Sequence, residues 1–268
     1  MSKILKKFGE LFYKKKYRGD ECIIRVLCFR FKRKNKLTLL ENKLTQISTE
    51  LNTIKSTMHS EKEIFYNNGN KIIIYNENGE VINNPKKIDG LKITFGGSDN
   101  LIEIYEPCNF INGNHIEIFG DNCHCIFKKC LLAMVHIKAQ HSAKCFIDED
   151  ATVCGYIHLA NERNLSLKIG KGCMFSKGAA IWATDGHIIR DASTNEIINR
   201  IKNGIEIGDH CWIGNKVTII KNTILADNTI VGAKSLVSGH FTEPNTIIAG
   251  NPAKVIKKNV IWDRAPLD

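Results

Sequence analysis

Residues 205–252 read IEIGDHCWIGNKVTIIKNTILADNTIVGAKSLVSGHFTEPNTIIAGNP, and an aliphatic residue returns at every sixth position. The six positions are Ile207, Ile213, Ile219, Leu225, Val231 and Val237. A period of six fits neither a helix nor an alternating strand. It is typical of a parallel β-helix, in which stacked coils bury their aliphatic residues against each other. Glycine follows three of these positions, at Gly208, Gly214 and Gly232, and we expect it to relax the backbone where the chain turns.

Upstream of this stretch the six-residue step persists in three shorter rows, each in its own register. The rows are Ile104, Phe110, Ile116; then Phe119, Cys125, Leu131, Ile137; then Ile169, Phe175, Ile181. The pattern predicts that the coils begin at residues 91–97. A β-hairpin is expected before them, at residues 71–82, around an Asn-rich turn. Residues 61–268 are therefore predicted to form one mainly β domain.

One segment interrupts the repeat. The interval from Ile181 to Ile207 is not a multiple of six, and residues 182–203 read WATDGHIIRDASTNEIINRIKN. A polar loop of this length leaving a solenoid is usually functional, and we expect it to protrude and cover a neighbouring subunit. Residues 250–254 (GNPAK) end the repeats, and residues 255–268 are predicted to form a C-terminal cap.

The N-terminal arm, residues 1–36, carries the net charge of the protein. It holds 13 Lys or Arg and 3 Asp or Glu, whereas the remaining chain holds 25 of each. Ile4, Leu5, Phe8, Leu11 and Phe12 recur at helical spacing among these lysines, as in a basic amphipathic helix. The pattern favours attraction to an anionic membrane surface or glycan. The alternatives are a solvated arm and, with no recognised motif to support it, nucleic-acid binding.

Residues 37–60 carry a heptad pattern. Its apolar residues are spaced alternately by three and four: Leu37, Leu40, Leu44, Ile47, Leu51, Ile54 and Met58. Leucine at position a with isoleucine at d favours three or four strands over two. A coiled coil is therefore predicted, and the alternative is a helix that packs on its own β domain.

The N-terminal sequence and the apolar runs predict the cellular compartment, and the compartment predicts the redox state of the cysteines. The charged N-terminus leads to no apolar signal core and no apolar run is long enough for a membrane span, so the ten cysteines are expected to be free thiols in the cytoplasm. Cys123, His124, Cys125 and Cys130 suggest a metal cluster. The competing interpretation, that these cysteines stack as small apolar residues in the coils, is favoured, and no metal is predicted.

His187 is the sharpest candidate for chemistry. It lies in the sequence TDGH (184–187) at the start of the protruding loop. An imidazole titrates near neutral pH, so it can take a proton from a hydroxyl group. A carboxylate close by, such as Asp185, would fix its tautomer. A solvated loop histidine remains the alternative.

The hexapeptide run, the DGH loop, the sequence HCWIG (210–214) and the closing GNPAK together resemble the left-handed β-helix acyltransferases that use acetyl-CoA. The resemblance covers residues 95–258, is strongest from residue 169, and is greatest to the branch that O-acetylates sugars of capsule, lipopolysaccharide or sialic acid. It implies a homotrimer with each active site between two subunits, a carbohydrate acceptor, and acetyl-CoA as co-substrate.

The resemblance also assigns roles to individual residues. His187 would be the general base, and Trp212 would shape the site near the thioester. Positions that would bind the pantetheine arm are Gly214, Gly232, Ala233 and Ser238. Pro252 and Lys254 would approach the adenine and phosphate end, where a lysine suits a phosphate.

Two other functions stay open from sequence. The γ-class carbonic anhydrases share the β-helix and bind zinc through three histidines, for which His136 and His141 have suitable spacing and His115 does not. A zinc ion with three imidazoles and water is a sound catalytic site. The other alternative is a non-enzymatic trimeric scaffold on a membrane surface. Binding of acetyl-CoA, of zinc or of neither distinguishes the three.

Overall fold

A computed structural model describes residues 63–202 and 204–265. The chain divides into two units, residues 1–60 and 61–268, and the described residues belong to the second. The basic arm and the coiled coil predicted at residues 1–36 and 37–60 lie outside the described residues and stay predictions. No helix among the described residues has the length and hydropathy to cross a bilayer.

Short strands make up the second unit. In chain order they are β1 (Lys71–Tyr75), β2 (Val81–Asn83), β3 (Leu91–Phe95), β4 (Leu101–Tyr105), β5 (Asn109–Ile111), β6 (Asn114–Ile118), β7 (His124–Lys128), β8 (Leu131–Ala133), β9 (His136–Ala139), β10 (Lys144–Ile147), β11 (Thr152–Val153), β12 (Gly155–Leu159), β13 (Ser166–Ile169), β14 (Met174–Phe175), β15 (Ala179–Trp182), β16 (Ile205–Ile207), β17 (Trp212–Ile213), β18 (Thr218–Ile220), β19 (Ile224–Leu225), β20 (Ile230–Val231), β21 (Leu236–Val237), β22 (His240–Phe241), β23 (Thr246–Gly250) and β24 (Ala253–Lys258).

These strands form three sheets, which we call faces A, B and C. Face A has the order β2-β1-β4-β7-β10-β13-β16-β19-β22, face B β21-β18-β15-β12-β9-β6-β3, and face C β24-β23-β20-β17-β14-β11-β8-β5. From β3 onward the chain visits faces B, A and C in turn, and like strands of successive coils pair in parallel. The domain is therefore a β-solenoid, as the six-residue period predicted.

The predicted inward row is confirmed in the later coils. Ile207, Ile213, Ile219, Leu225, Val231 and Val237 are all buried. Ile207 pairs with Leu225, the third member of the row after it. Each of these coils therefore holds three hexapeptides, one for each face.

In the two earliest rows only some of the residues predicted to face inward are buried. Ile102 pairs with Cys125, and Cys125 pairs with Cys145, so these coils are longer than three hexapeptides and unequal to each other. Such coils contain extra turn residues, and a strict count of six slips out of register. Phe119 is accordingly 43% exposed, and Leu132 rather than Leu131 is buried.

The glycine expectation needs a correction. At Gly214 an added Cβ would lie 2.6 Å from the Val231 carbonyl oxygen and 2.8 Å from the Ala233 nitrogen, so close stacking of the coils excludes a side chain. The left-handed backbone conformation occurs two residues later in each turn. It is adopted at six-residue intervals by His210, Lys216, Asn222, Asn228 and Lys234, where asparagine is tolerated best among non-glycine residues.

Of the eight cysteines in the described residues, seven are buried inside the coils and Cys108 is partly buried. Cys125 and Cys145 are register partners on neighbouring strands of face A, and both are buried free thiols. Burial raises the pKa of the Cys123 thiol to about 11. His124 points outward, with Nε2 2.6 Å from the Glu103 carboxylate. Since neighbouring residues of a strand face opposite sides, the Cys125 thiol and the His124 imidazole do not converge on one site.

The two ends of the solenoid differ. The expected hairpin is present, with β1 and β2 antiparallel at the start of face A. At the other end β24 folds back on β23. The chain then runs back over earlier coils. Trp262 donates its indole N–H to the His210 carbonyl oxygen at 2.7 Å, and Arg264 donates to the carbonyl oxygens of Asp150, Gly172 and Cys173.

Candidate active site

The protruding loop is an insertion of about one coil between β15 and β16. Leu167 and Ile205 pair on face A, although the chain between them is about twice as long as a regular coil. The insertion therefore leaves and rejoins the solenoid at the edge between faces B and A. Its distal part forms a small antiparallel arm, with a bridge between Arg190 and Ile197 and a hydrogen bond from the Ile198 amide to the Ile189 carbonyl oxygen at 2.9 Å.

A network of polar contacts holds the base of the loop. The Asp185 carboxylate accepts hydrogen bonds from the ammonium group of Lys221 and from Asn199 Nδ2 at 2.9 Å. Asn199 Nδ2 also donates to the His187 carbonyl oxygen at 2.8 Å. The hydroxyl of Thr184 donates to Glu162 Oε1 at 2.5 Å. The two ends of the insertion are thus tied to each other and to the neighbouring coils.

Asp185 is held in its charged form. The hydrogen bond from Lys221 lowers the pKa of the Asp185 carboxyl group, partial burial opposes this, and the hydrogen bond from Asn199 adds to the lowering. The expected pairing of Asp185 with the His187 ring is therefore not formed. The carboxylate anchors the loop through Lys221, a residue that the sequence did not single out.

His187 is exposed at the start of the loop. Its backbone carbonyl is held by Asn199, whereas its imidazole makes no hydrogen bond within the part of the chain that the structure describes. Both ring nitrogens are therefore available to an acceptor or to a second subunit. A fixed backbone with an unengaged ring suits a residue that acts on a bound molecule.

Three further rings lie beside the loop on the outer surface of face B. The Tyr156 hydroxyl is 3.0 Å from His158 Nδ1, and the centroid of the Trp182 ring is 4.7 Å from that of His158 and 5.3 Å from that of Tyr156. His158 is buried, and burial followed by the charge of Lys138 lowers the pKa of its imidazole. The sequence pattern did not predict this cluster. Its only signal is that Tyr156 and His158 flank one inward residue, Ile157, and Trp182 follows another, Ile181.

Trp212 lies on face C, where its indole N–H donates to the Ser176 hydroxyl at 3.4 Å. The ring is 37% exposed, and its centroid lies 5.9 Å from that of Trp262. The loop with His187 leaves from the edge between faces B and A. One chain therefore places His187 and Trp212 on different sides of the solenoid and does not bring them together.

The predicted pantetheine positions divide between two edges. Gly214, Gly232 and Ala233 follow strands of face C and line its edge with face B. Pro252, predicted to approach the adenine and phosphate end, also follows a strand of face C. The amides of Gly214 and Gly232 are bonded to the next coil, at 2.9 and 2.8 Å, whereas the Ala233 amide has no partner in the described residues and can donate to a ligand carbonyl. Ser238 follows β21 and lies at the other edge of face B, near the base of the loop. Lys254 is exposed on β24.

Comparison with known proteins gives a family match and similar proteins of known or assigned activity. Residues 204–239 match the family described as "Bacterial transferase hexapeptide (six repeats)". The chain is 32% identical to the polysialic acid O-acetyltransferase of Neisseria meningitidis, over 71% of this chain and 90% of the relative. It is 31% identical to the putative lipopolysaccharide biosynthesis O-acetyl transferase WbbJ of Escherichia coli K12, over 45% of this chain and 65% of the relative.

Two solved structures share the fold. The polySia-specific acetyltransferase NeuO superposes with a TM-score of 0.62 at 23% identity, covering 77% of this chain and 91% of NeuO. The polysialic acid O-acetyltransferase OatWY superposes with a TM-score of 0.58 at 26% identity, covering 74% of this chain and 90% of OatWY. Both matches span the solenoid over most of its length.

Proposed function

We propose that this protein, which belongs to the hexapeptide-repeat acyltransferases and to their surface-polysaccharide O-acetyltransferase branch, transfers acetyl from acetyl-CoA to a sugar hydroxyl of a bacterial surface glycan. Acetyl transfer follows from the family; the donor, the acceptor and the residue roles are the proposal. The observation that supports it most is the insertion of the His187 loop into an otherwise regular hexapeptide coil, with its backbone fixed and its imidazole unengaged.

The reaction needs one proton acceptor. The His187 imidazole takes the proton of the sugar hydroxyl as the oxygen attacks the thioester carbonyl of acetyl-CoA. The carbon–sulfur bond then breaks, the acetyl ester stays on the sugar, and the departing thiolate takes the proton from the imidazolium. The Asp185 carboxylate contributes by holding the loop through Lys221 rather than by contacting the ring.

The acceptor is proposed to lie on the ring cluster of Tyr156, His158 and Trp182. Aromatic faces offer apolar surface to a sugar ring, and the Tyr156 hydroxyl and the indole N–H of Trp182 offer polar edges. The cluster borders the base of the loop, because Trp182 is its first residue. The polysialic acid O-acetyltransferase and the putative lipopolysaccharide biosynthesis O-acetyl transferase among the relatives support an acceptor of surface-glycan type.

A complete site requires a second copy of the chain. His187 and Trp212 occupy different sides of one solenoid, so a site that uses both must form between two subunits. We infer a homotrimer of left-handed β-helices, which the heptad pattern at residues 37–60 supports independently. Ile188, Ile189 and Ile198, each at least half exposed on the loop arm, would be covered by the neighbouring subunit.

Acetyl-CoA is expected to raise the melting temperature of the protein. A ligand at one hundred times its dissociation constant adds about 2.7 kcal/mol to the free energy of unfolding. Differential scanning fluorimetry with acetyl-CoA, and with acetyl phosphate as the matched control without the CoA moiety, measures this. An unchanged melting temperature with both compounds would contradict the donor assignment and favour the scaffold function.

The basic arm is expected to hold a cytoplasmic enzyme at the inner surface of an anionic membrane. Each lysine near such a surface contributes about 1 kcal/mol. Deletion of residues 1–36 should abolish co-sedimentation with vesicles that contain phosphatidylglycerol and leave acetyl transfer to a soluble acceptor intact. Equal sedimentation of the two proteins would remove the arm from membrane binding.

A further inference from the structure

Three potential metal ligands meet on the outer surface of face B, on the coils that precede the ring cluster. His115 and Glu117 are alternate residues of β6 and so face the same side, and His136 is the register partner of His115 on β9. Their ligand atoms all lie within 4.8 Å of one another. We propose that His115, Glu117 and His136 form a site for a divalent transition ion of the zinc type.

The local geometry already approaches a metal site. Glu117 Oε2 is 2.8 Å from His136 Nε2, and Glu117 Oε1 is 3.6 Å from His115 Nδ1. The two imidazoles are stacked, with centroids 5.2 Å apart. Zinc binds imidazole nitrogen and carboxylate oxygen at about 2.0–2.2 Å. All three side chains are partly buried at the surface rather than enclosed in the core, so we expect side-chain rotations to bring the three atoms to that distance from one ion.

A polar contact orients the His115 ring. Thr94 Oγ1 lies 3.1 Å from His115 Nε2, and the other ring nitrogen, Nδ1, faces Glu117 Oε1 at 3.6 Å. A polar partner on the second nitrogen is the usual way in which a ligating histidine is oriented.

The sequence did not indicate this site. It predicted no metal, and its zinc alternative grouped His115 and His136 with His141, which is exposed in the turn after β9. In the structure the third ligand is Glu117, supplied by the strand of His115. Two histidines and a carboxylate leave a fourth position for water, and an ion there would join two successive coils.

The chain supplies a matched control. His124 on face A also contacts a carboxylate, with Nε2 2.6 Å from Glu103, and its exposure resembles that of His136. No second imidazole is grouped with this pair in the described residues. If His136 only formed a surface ion pair, replacing His124 or His136 would change the zinc affinity equally. The proposed site predicts that only replacement of His136 lowers the zinc affinity.

Isothermal titration of the tag-free protein with Zn²⁺, and visible spectroscopy with Co²⁺, test the proposal. We expect one ion per chain, a nitrogen–oxygen Co²⁺ spectrum without a thiolate charge-transfer band, and a higher melting temperature with Zn²⁺. His136→Ala and Glu117→Gln should weaken binding at least about tenfold, and His124→Ala should not. Equal affinity of His136→Ala and the unaltered protein, thiolate bands, or no stoichiometric binding would overturn it. None of these readouts depends on acetyl transfer.

Discussion

Replacement of His187 with alanine is expected to lower kcat for acetyl transfer by about two to four orders of magnitude, the contribution typical of a general base. The alanine variant lacks the imidazole that is proposed to take the proton of the sugar hydroxyl. The affinity for acetyl-CoA should change little, because the positions proposed for the pantetheine arm lie on other elements. Release of free CoA thiol in the presence of a glycan acceptor measures kcat, and titration with acetyl-CoA measures affinity.

The substitution should affect catalysis without changing the loop conformation, because no contact that holds the loop among the described residues involves the imidazole. Asn199 holds the His187 carbonyl oxygen, and Lys221 and Asn199 hold Asp185. All of these contacts survive in the alanine variant, so its melting temperature should stay unchanged. His141→Ala is the control, since it removes another exposed imidazole from a turn of the same solenoid. A kcat close to that of the unaltered enzyme would exclude His187 as the base.

The later coils could be predicted from sequence because their geometry is strictly periodic. Three hexapeptides per coil put every sixth side chain inside. The same period governs a second buried row, Cys211, Val217, Thr223, Thr229 and Ser235. The hydroxyls of Thr223, Thr229 and Ser235 donate to the carbonyl oxygen three residues earlier. This local hydrogen bond satisfies a buried polar group and explains why polar residues share an inward row with apolar ones.

The early coils and much of the site could not be predicted in the same way. Coils whose lengths are not multiples of six shift the register by amounts that depend on turn geometry, and single-sequence periodicity does not report turn geometry. The loop was located because its length breaks the period. Lys221, the partner of Asp185, could not be located in this way. It lies 36 residues away along the chain and becomes a neighbour only when the chain returns to the solenoid after the insertion.

Loss of the contacts made by Trp262 in the C-terminal tail is expected to have the largest effect on stability. Trp262 is only 8% exposed, its indole N–H bonds the His210 carbonyl oxygen at 2.7 Å, and its ring stacks on that of His210 with centroids 4.3 Å apart. Val260 bonds the last coil through Asn245, and Arg264 bonds Asp150 several coils earlier. A plain solenoid couples only neighbouring coils, whereas this tail links coils that are not in contact.

Trp262→Ala is therefore expected to lower the free energy of unfolding by about 3 kcal/mol, the lower end of the range for loss of a large buried aromatic side chain, because the ring packs on the outside of the coils. Trp262→Phe keeps an aromatic ring over His210 but leaves the carbonyl oxygen of His210 without its donor, and should cost about 1 kcal/mol. Urea unfolding followed by circular dichroism measures both. Ile261→Ala, at a neighbouring side chain that is 84% exposed, is the control and should leave the midpoint unchanged. If Trp262→Ala unfolds at the same urea concentration as the unaltered protein, the tail does not couple the coils.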